Sequence, residues 1–179
     1  MRRLPIALSI ALIAIPCGAV SAHAGDAPAA DAQAPLSPVE IAAIQQACET
    51  VSIQYARYLD GKDWQNLPSV FAPDGVWEVL SNRLEGRDAI RDYWRARTAE
   101  WAPTHGRMHQ IANQVIEVVD RDHARGSSFA VVYFFDTAPD ANRSLAPILI
   151  AKNTDAFVRT AEGWKLQSRR IERVANVGQ

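Results

Sequence analysis

The stretch MHQIANQVIEVV, residues 108–119, begins the part of the sequence that decides the fold. It is the first of four long segments rich in Val, Ile, Phe and Tyr, a composition typical of β-strands. The other three segments are residues 124–136, 147–160 and 164–174. Turn-forming residues separate consecutive segments, so we expect each strand to pair antiparallel with the next one along the chain.

Helical patterns lie before these strands. The sequence SPVE at residues 37–40 is a capping box with Pro38 at the first helical position, and apolar residues at helical spacing follow it as far as Asp60 and Gly61. The further elements expected here are a short helix at 64–70, a turn at 73–75, a short strand at 76–80 and a third helix from Gly86 to a stop at Pro103. This order predicts an α+β fold, in which three N-terminal helices lie on a cone-shaped, curved antiparallel sheet with an internal ligand pocket.

Residues 1–24 have the features of a secretory signal peptide. Arg2 and Arg3 form a basic start, an apolar run extends over residues 4–20, and AHA at 22–24 matches a cleavage site. The apolar run is short for a membrane helix, and Pro16 interrupts it. We therefore expect a secreted protein, periplasmic rather than released to the medium, with no membrane association after cleavage.

Cleavage would leave 155 of the 179 residues, which suits one domain. We expect a flexible linker at 25–36, the folded domain at 37–174 and a short tail at 175–179. The segment 1–24 carries two basic residues and no acidic one, so the formal net charge changes from −1 to −3. That balance gives no basic excess for binding nucleic acid. Cys48 would be the one cysteine left, which excludes an internal disulfide, and its helical spacing predicts a small buried side chain.

Several polar residues fall where the cone would gather them. Asp60 ends the first helix five residues after Tyr55, and His109 shares one strand face with Asn113 by the two-residue period of a strand. Each also has an ordinary interpretation, Asp60 as a solvated helix end and His109 as a half-exposed residue at a strand end. From spacing alone, both interpretations stay open.

Two arginines are adjacent on the last predicted strand. Because side chains alternate between the faces of a strand, either Arg169 or Arg170 points inward, and the sequence leaves open which one. An inward arginine needs an anionic partner, since a buried unpaired charge is costly. Trp77, on the short strand, is expected in the core.

Five stretches of this sequence together resemble one family. They are YARYLDGKDWQNL at 55–67, FAPDGVW at 71–77, EGRDAI at 85–90, MHQIANQVIEV at 108–118 and EGWKLQSRRIERV at 162–174. These stretches look like the SnoaL-like branch of the nuclear-transport-factor-2-like (NTF2-like) superfamily, over about residues 37–174. The resemblance implies the α+β cone of NTF2-like and cystatin-like proteins.

Within that superfamily, the sequence looks most like a group of lyases that includes scytalone dehydratase, the bile-acid dehydratase and the hexachlorocyclohexane dehydrochlorinase. The resemblance implies a β-elimination in which His109 is the general base and Asp60 orients it, while Tyr55 and Arg169 stabilise developing negative charge. It implies no metal and no organic cofactor. The substrate-binding residues expected beside them are Trp77, Asn113, Trp94 and Tyr58. Ser128 stands near the place of a second histidine in scytalone dehydratase, which argues against scytalone as the substrate.

The favoured interpretation is an exported, cofactor-independent carbon–oxygen or carbon–halide lyase acting on a small hydrophobic cyclic substrate. The alternative is a non-catalytic protein of the same fold that binds such a molecule, and a third possibility is a subunit that assembles with a larger partner, as dioxygenase small subunits do. We also expect a homo-oligomer, a trimer or a dimer, because the strand segments 131–135 and 147–150 are apolar enough to need covering. The sequence does not identify the substrate.

Overall fold

A computed structural model describes residues 34–141 and 147–176 of the protein. The expected signal peptide, most of the linker and the end of the tail lie outside the described residues. The elements described below belong to the unit Pro35–Gln179. Neither of the α-helices in the described ranges is long and apolar enough to cross a membrane.

The described residues form two α-helices, a short 3-10 helix and six strands. In chain order they are α1 (Pro38–Asp60), the 3-10 helix (Leu67–Val70), β1 (Phe71–Val79), β2 (Asn82–Glu85), α2 (Arg87–Arg97), β3 (His105–Val118), β4 (His123–Asp136), β5 (Pro147–Thr160) and β6 (Gly163–Asn176). The predicted α+β class and the four long strands are confirmed.

The helix α1 begins as its sequence predicts. Ser37 accepts a hydrogen bond from the backbone N–H of Glu40 at 3.3 Å, and the Glu40 carboxylate accepts one from the backbone N–H of Ser37 at 2.8 Å, so both halves of the capping box form. The helix buries one apolar face that includes Cys48, which is fully buried. Burial raises the pKa of the Cys48 thiol to about 12, as expected for a cysteine that serves as a small core residue.

The six strands form one curved sheet in the order β2-β1-β6-β5-β4-β3. The pairs β3–β4, β4–β5 and β5–β6 are antiparallel, which confirms the predicted meander. The expectation of a wholly antiparallel sheet is wrong at one place, because β1 pairs parallel with β6. No hairpin joins these two strands. Instead α2 carries the chain from β2 at one edge to β3 at the other, so hairpin geometry does not set the direction of β1 relative to β6.

The segment between α1 and β3 differs most from its prediction. The expected helix at 64–70 is reduced to a single 3-10 turn. The expected turn at 73–75 lies inside β1 as an irregularity of its pairing with β6, and β1 then forms a hairpin with β2, which the sequence analysis missed. The helix α2 ends at Arg97, before Pro103. The Thr98 N–H still bonds the Trp94 carbonyl at 3.2 Å, but Thr98 has left helical geometry, with φ −109° and ψ 2°, and the next N–H, that of Ala99, bonds the Ala96 carbonyl three residues back.

Candidate active site

Two hydrogen bonds join Asp60, the last residue of α1, to His109 on β3. Oδ1 of Asp60 lies 2.6 Å from Nδ1 of His109, and Oδ2 accepts the backbone N–H of His109 at 2.7 Å. An ionised carboxylate only accepts hydrogen bonds, so Nδ1 carries a proton and Nε2 of the neutral ring is an acceptor. Asp60 therefore fixes the backbone position, the ring orientation and the tautomer of His109.

His109 lies between Asp60 and a cavity of about 490 Å³. The histidine ring lines this cavity, whereas Asp60 does not. Nε2 of His109 has no hydrogen-bond partner within residues 34–141 and 147–176. Tyr55 and Asp60, five residues apart on α1, therefore face different surroundings. Tyr55 lines the cavity, whereas Asp60 contacts His109 on β3.

Aromatic side chains make up much of the cavity wall. They come from α1, β1, α2, the segment after α2, and β4, and they are Tyr55, Trp77, Tyr93, Trp94, Trp101 and Phe134. The ring centroids of Trp77 and Trp94 are 5.2 Å apart in an edge-to-face arrangement. The cavity has the volume and the apolar lining of a small-molecule site, for which about 300–1,000 Å³ is usual.

The Tyr55 hydroxyl is oriented by Trp77. Nε1 of Trp77 donates a hydrogen bond to the Tyr55 oxygen at 2.9 Å, and within the described residues no acceptor takes the Tyr55 proton. Burial raises the pKa of Tyr55 above its ordinary value, so the phenol keeps its proton. Tyr55 is thus a hydrogen-bond donor at the cavity wall.

Arg169, rather than Arg170, faces the interior. Its guanidinium donates to both carboxylate oxygens of Asp155 at 2.8 and 2.7 Å and to the Ser52 hydroxyl at 2.6 Å, and it lies 4.4 Å from the centre of the Tyr55 ring. Although burial lowers it, the adjacent Asp155 carboxylate holds the pKa of Arg169 above its usual value. Asp155 is the anionic partner that a buried arginine requires. Arg170 is exposed on the other face.

Arg107 is a buried residue beside the Asp60–His109 pair that the sequence analysis missed. Its Nη2 donates to the Leu59 carbonyl at 2.9 Å, its Nε lies 3.4 Å from Oδ1 of Asp60, and its guanidinium lies 4.8 Å from the ring centre of Trp94. Burial lowers the pKa of Arg107, which nonetheless stays paired with Asp60. Strand periodicity could have found this residue, since it lies two positions before His109, but the predicted strand began at Met108, one residue after Arg107, whereas β3 begins at His105.

Two expected cavity residues lie elsewhere. Asn113 is exposed and has a φ of +49°, at a bulge where the pairing of β3 with β4 shifts between Ala112 and Val115. The bulge breaks the alternation that would have placed Asn113 beside His109. Tyr58 packs against the core without lining the cavity, because the buried face of α1 passes through Tyr55 and Leu59. Asn113 and Tyr58 therefore do not line the cavity, as their expected binding roles require, whereas Trp77 and Trp94 do.

Asn153, unlike Asn113, is an asparagine that lines the cavity. Asn153 on β5 lines the cavity and donates a hydrogen bond from Nδ2 to the Ser128 hydroxyl at 3.1 Å. Both residues are buried. Ser128 thus orients an amide at the cavity wall.

The sequence of this chain matches the SnoaL-like domain over residues 40–170. The protein therefore belongs to the SnoaL-like family, whose fold is NTF2-like and whose members include polyketide cyclases and dehydratases. No curated protein matches the sequence.

Solved structures share the fold at low sequence identity. A protein titled "Putative Scytalone Dehydratase" from Novosphingobium aromaticivorans is 20% identical, with a TM-score of 0.66 over 78% of this chain and 89% of that one. A Nostoc punctiforme protein of unknown function with a cystatin-like fold is 20% identical, with a TM-score of 0.62 over 78% and 95%. ActVI-ORFA of Streptomyces coelicolor is 16% identical, with a TM-score of 0.63 over 74% and 98%.

Proposed function

We propose that this protein is a cofactor-independent lyase that removes water or a halide from a small hydrophobic cyclic substrate by β-elimination. The observation that carries the proposal is the 2.6 Å contact between Asp60 and His109 at the wall of a largely apolar cavity. A general base must be oriented by a partner and have a free nitrogen within reach of substrate. Asp60 orients the His109 ring through Nδ1, which supports the first requirement, and Nε2 has no partner in the described part of the chain. We propose that Nε2 meets the second requirement, because His109 lines the cavity.

In the proposed reaction, Nε2 of His109 takes a proton from the carbon next to the one that bears the leaving group. The electrons of that C–H bond form the double bond, and the bond to the hydroxyl or halide breaks as the leaving group departs. In a dehydration, the proton now on Nε2 of His109 passes to the departing hydroxide, which leaves as water and returns the imidazole to its neutral form. In a dehydrohalogenation, the halide leaves as the anion and His109 releases its proton to solvent. Asp60 stabilises the imidazolium that forms, as the carboxylate does in other His–carboxylate pairs.

Tyr55 is proposed as the donor to the leaving oxygen or to negative charge on the substrate. Its O–H group is available to donate a hydrogen bond. The Tyr55 oxygen already accepts a hydrogen bond from Nε1 of Trp77, and burial raises the pKa of Tyr55, so the phenol stays protonated. Arg169 contributes less than a free cation would, since Asp155 neutralises it. We propose that the main role of Arg169 is to hold the Tyr55 ring in place, because its guanidinium lies 4.4 Å from the centre of that ring.

The test is a product analysis with matched variants. The purified protein is incubated with a panel of hydroxylated and halogenated cyclic compounds, and loss of water or release of halide is followed by mass spectrometry and halide electrode. For any compound that is turned over, His109→Ala and Asp60→Asn should each lower kcat by about 10²–10⁴-fold. The control is Glu117→Gln, a change of an exposed residue on the same strand that does not line the cavity, and it should leave turnover unchanged. Undiminished turnover in His109→Ala would overturn the mechanism, and ligands that bind but return unchanged would favour the binding protein instead.

Export and self-association are further parts of the proposal. Fractionation of the native host, with N-terminal sequencing of the mature chain, tests whether residues 1–24 direct export and cleavage occurs after Ala24. Phe135 on β4, which is exposed and does not line the cavity, supports a homo-oligomer that covers it. Light scattering on the purified protein would give a dimer or trimer if the proposal is right and a monomer if it is wrong.

A further inference from the structure

We infer that this cavity binds ligands that carry an acidic group, and that Arg97 and Arg173 at its mouth bind that group. The inference rests on the proposed function, because it names the class of substrate that the same cavity would bind. The predicted class is a small aromatic or alicyclic molecule with one carboxylate or other oxyanion substituent.

The charged side chains that line the cavity are all cationic. They are Arg97, Arg107, Arg169 and Arg173, and no aspartate or glutamate of the described residues lines it. The charge of each buried arginine is neutralised by a carboxylate that does not line the cavity. Arg107 is paired with Asp60, and Arg169 is paired with Asp155. The excess positive charge of the cavity therefore belongs to Arg97 and Arg173.

Arg97 and Arg173 are exposed, which places them at the opening of the cavity. Neither makes an ion pair or a side-chain hydrogen bond with another residue in the two described ranges. Arg97 and Arg173 differ from Arg83 and Arg170, which both pair with Glu78 on the outer groove. Arg173 also lines that groove, beside Glu78 and Glu172, but makes no ion pair with either. Burial is the main cause of the lowered pKa of Arg107, and the charge of Arg97 lowers it further. On the cavity side these arginines meet no acid of the described residues and create a positive potential, which attracts anions into a cleft with apolar walls.

Unpaired donors beside the cavity point to the same ligand chemistry. Nε1 of Trp94 and Nη1 of Arg169 are buried without a hydrogen-bond partner in the described residues, and the Tyr55 proton also lacks an acceptor. All three residues line the cavity, and buried donors without acceptors are costly, so a small side-chain movement that brought one of them to a ligand oxygen would add affinity. The aromatic walls meanwhile require an apolar body. Together these features favour a cyclic molecule whose apolar body lies in the cavity and whose acidic group reaches the arginines at the mouth.

Two fluorescent probes that share one aromatic skeleton test the inference. Anilinonaphthalene sulfonate carries an anionic group, and phenylnaphthylamine lacks it. We expect the sulfonate to bind more tightly, with an affinity that falls as salt is added, because exposed charge pairs are screened. Exposed ion pairs are weak, so Arg97→Gln and Arg173→Gln should each weaken sulfonate binding about threefold and the double variant about tenfold. The affinity for phenylnaphthylamine should stay within about twofold.

The matched control is Arg95→Gln, a change of an exposed arginine on the same helix that does not line the cavity. The double lysine variant, R97K/R173K, keeps the charge and should keep most of the sulfonate affinity. Equal affinity for both probes, failure of the sulfonate to bind, or unchanged sulfonate affinity in R97Q/R173Q would overturn the inference. None of these variants touches Asp60 or His109. Selective anion binding without any turnover would therefore reject the proposed lyase and leave this inference intact. Turnover of a compound, together with equal affinity for the two probes, would support the lyase and reject this inference.

Discussion

The carboxylate of Asp60 holds His109 twice, once through the imidazole Nδ1 at 2.6 Å and once through the backbone N–H at 2.7 Å. Both groups are mostly shielded from solvent, with side-chain exposures of 19% and 14%. A histidine held both at its ring and at its backbone loses little orientational freedom when a substrate binds, so the pair is preorganised for proton transfer.

Removal of the Tyr55 hydroxyl should affect the chemical step. In Tyr55→Phe the cavity keeps its shape but loses a donor, so for a compound that is turned over we expect kcat to fall about 10²-fold with little change in KM. Steady-state kinetics measures both values. Trp77→Phe is the companion variant, since it removes the partner of Tyr55 and keeps the hydroxyl, and it should reduce kcat less. A Tyr55→Phe enzyme with normal kcat would exclude Tyr55 from the reaction.

Loss of the buried Arg169 should destabilise the fold strongly. Arg169→Met leaves the buried Asp155 carboxylate without its cation, and we expect the free energy of unfolding to fall by about 3–5 kcal/mol. Urea denaturation measures this change. The neighbouring Arg170→Met is the control, because Arg170 is exposed and should change stability by less than about 0.5 kcal/mol. Replacing both partners, R169M/D155L, should recover part of the loss, and a double variant less stable than the single one would contradict this explanation.

The start of α1 should depend on pH through Glu40. Hydrogen bonds from the Ser37 backbone and from Arg121 lower the pKa of Glu40 from 4.5 to about 2. A folded-state pKa below the unfolded value means that the contribution to stability is full above about pH 4.5 and disappears as the pH falls towards 2. Glu40→Gln should therefore lower Tm at pH 7, and the difference from the wild type should shrink on acidification through that window. Glu49→Gln on the same helix serves as the control, and a Tm difference independent of pH would refute the role assigned to Glu40.

Most of the fold could be predicted from local patterns. The capping box located the start of α1, and strand composition with turn residues located β3 to β6, because these features depend on residues close together in the chain. The parallel pairing of β1 with β6 depends on where α2 returns the chain, which no local pattern contains. The hairpin strand β2 was missed because its four residues are too short and polar to show a strand pattern.

The candidate site likewise contains features that the sequence predicted and features that depend on contacts between residues far apart in the chain. Resemblance to the family brought Asp60 and His109 together, and the structure places them in contact. Alternation could not decide between Arg169 and Arg170, because the deciding fact is the position of Asp155 on the neighbouring strand. Alternation also misled at Asn113, where a bulge shifts the register, although asparagine is one of the residues that tolerate a positive φ.

The tautomer of His109 tests the central claim most directly, since the proposed base needs an unprotonated Nε2, and the measurement requires no substrate. Nitrogen NMR of the folded protein, at a pH where the ring is neutral, assigns the proton to one of the two ring nitrogens. The account predicts the Nδ1-protonated form in the wild type and loss of that preference in Asp60→Ala. A wild-type His109 protonated on Nε2 would contradict the account, because that nitrogen could not then accept a proton from a substrate.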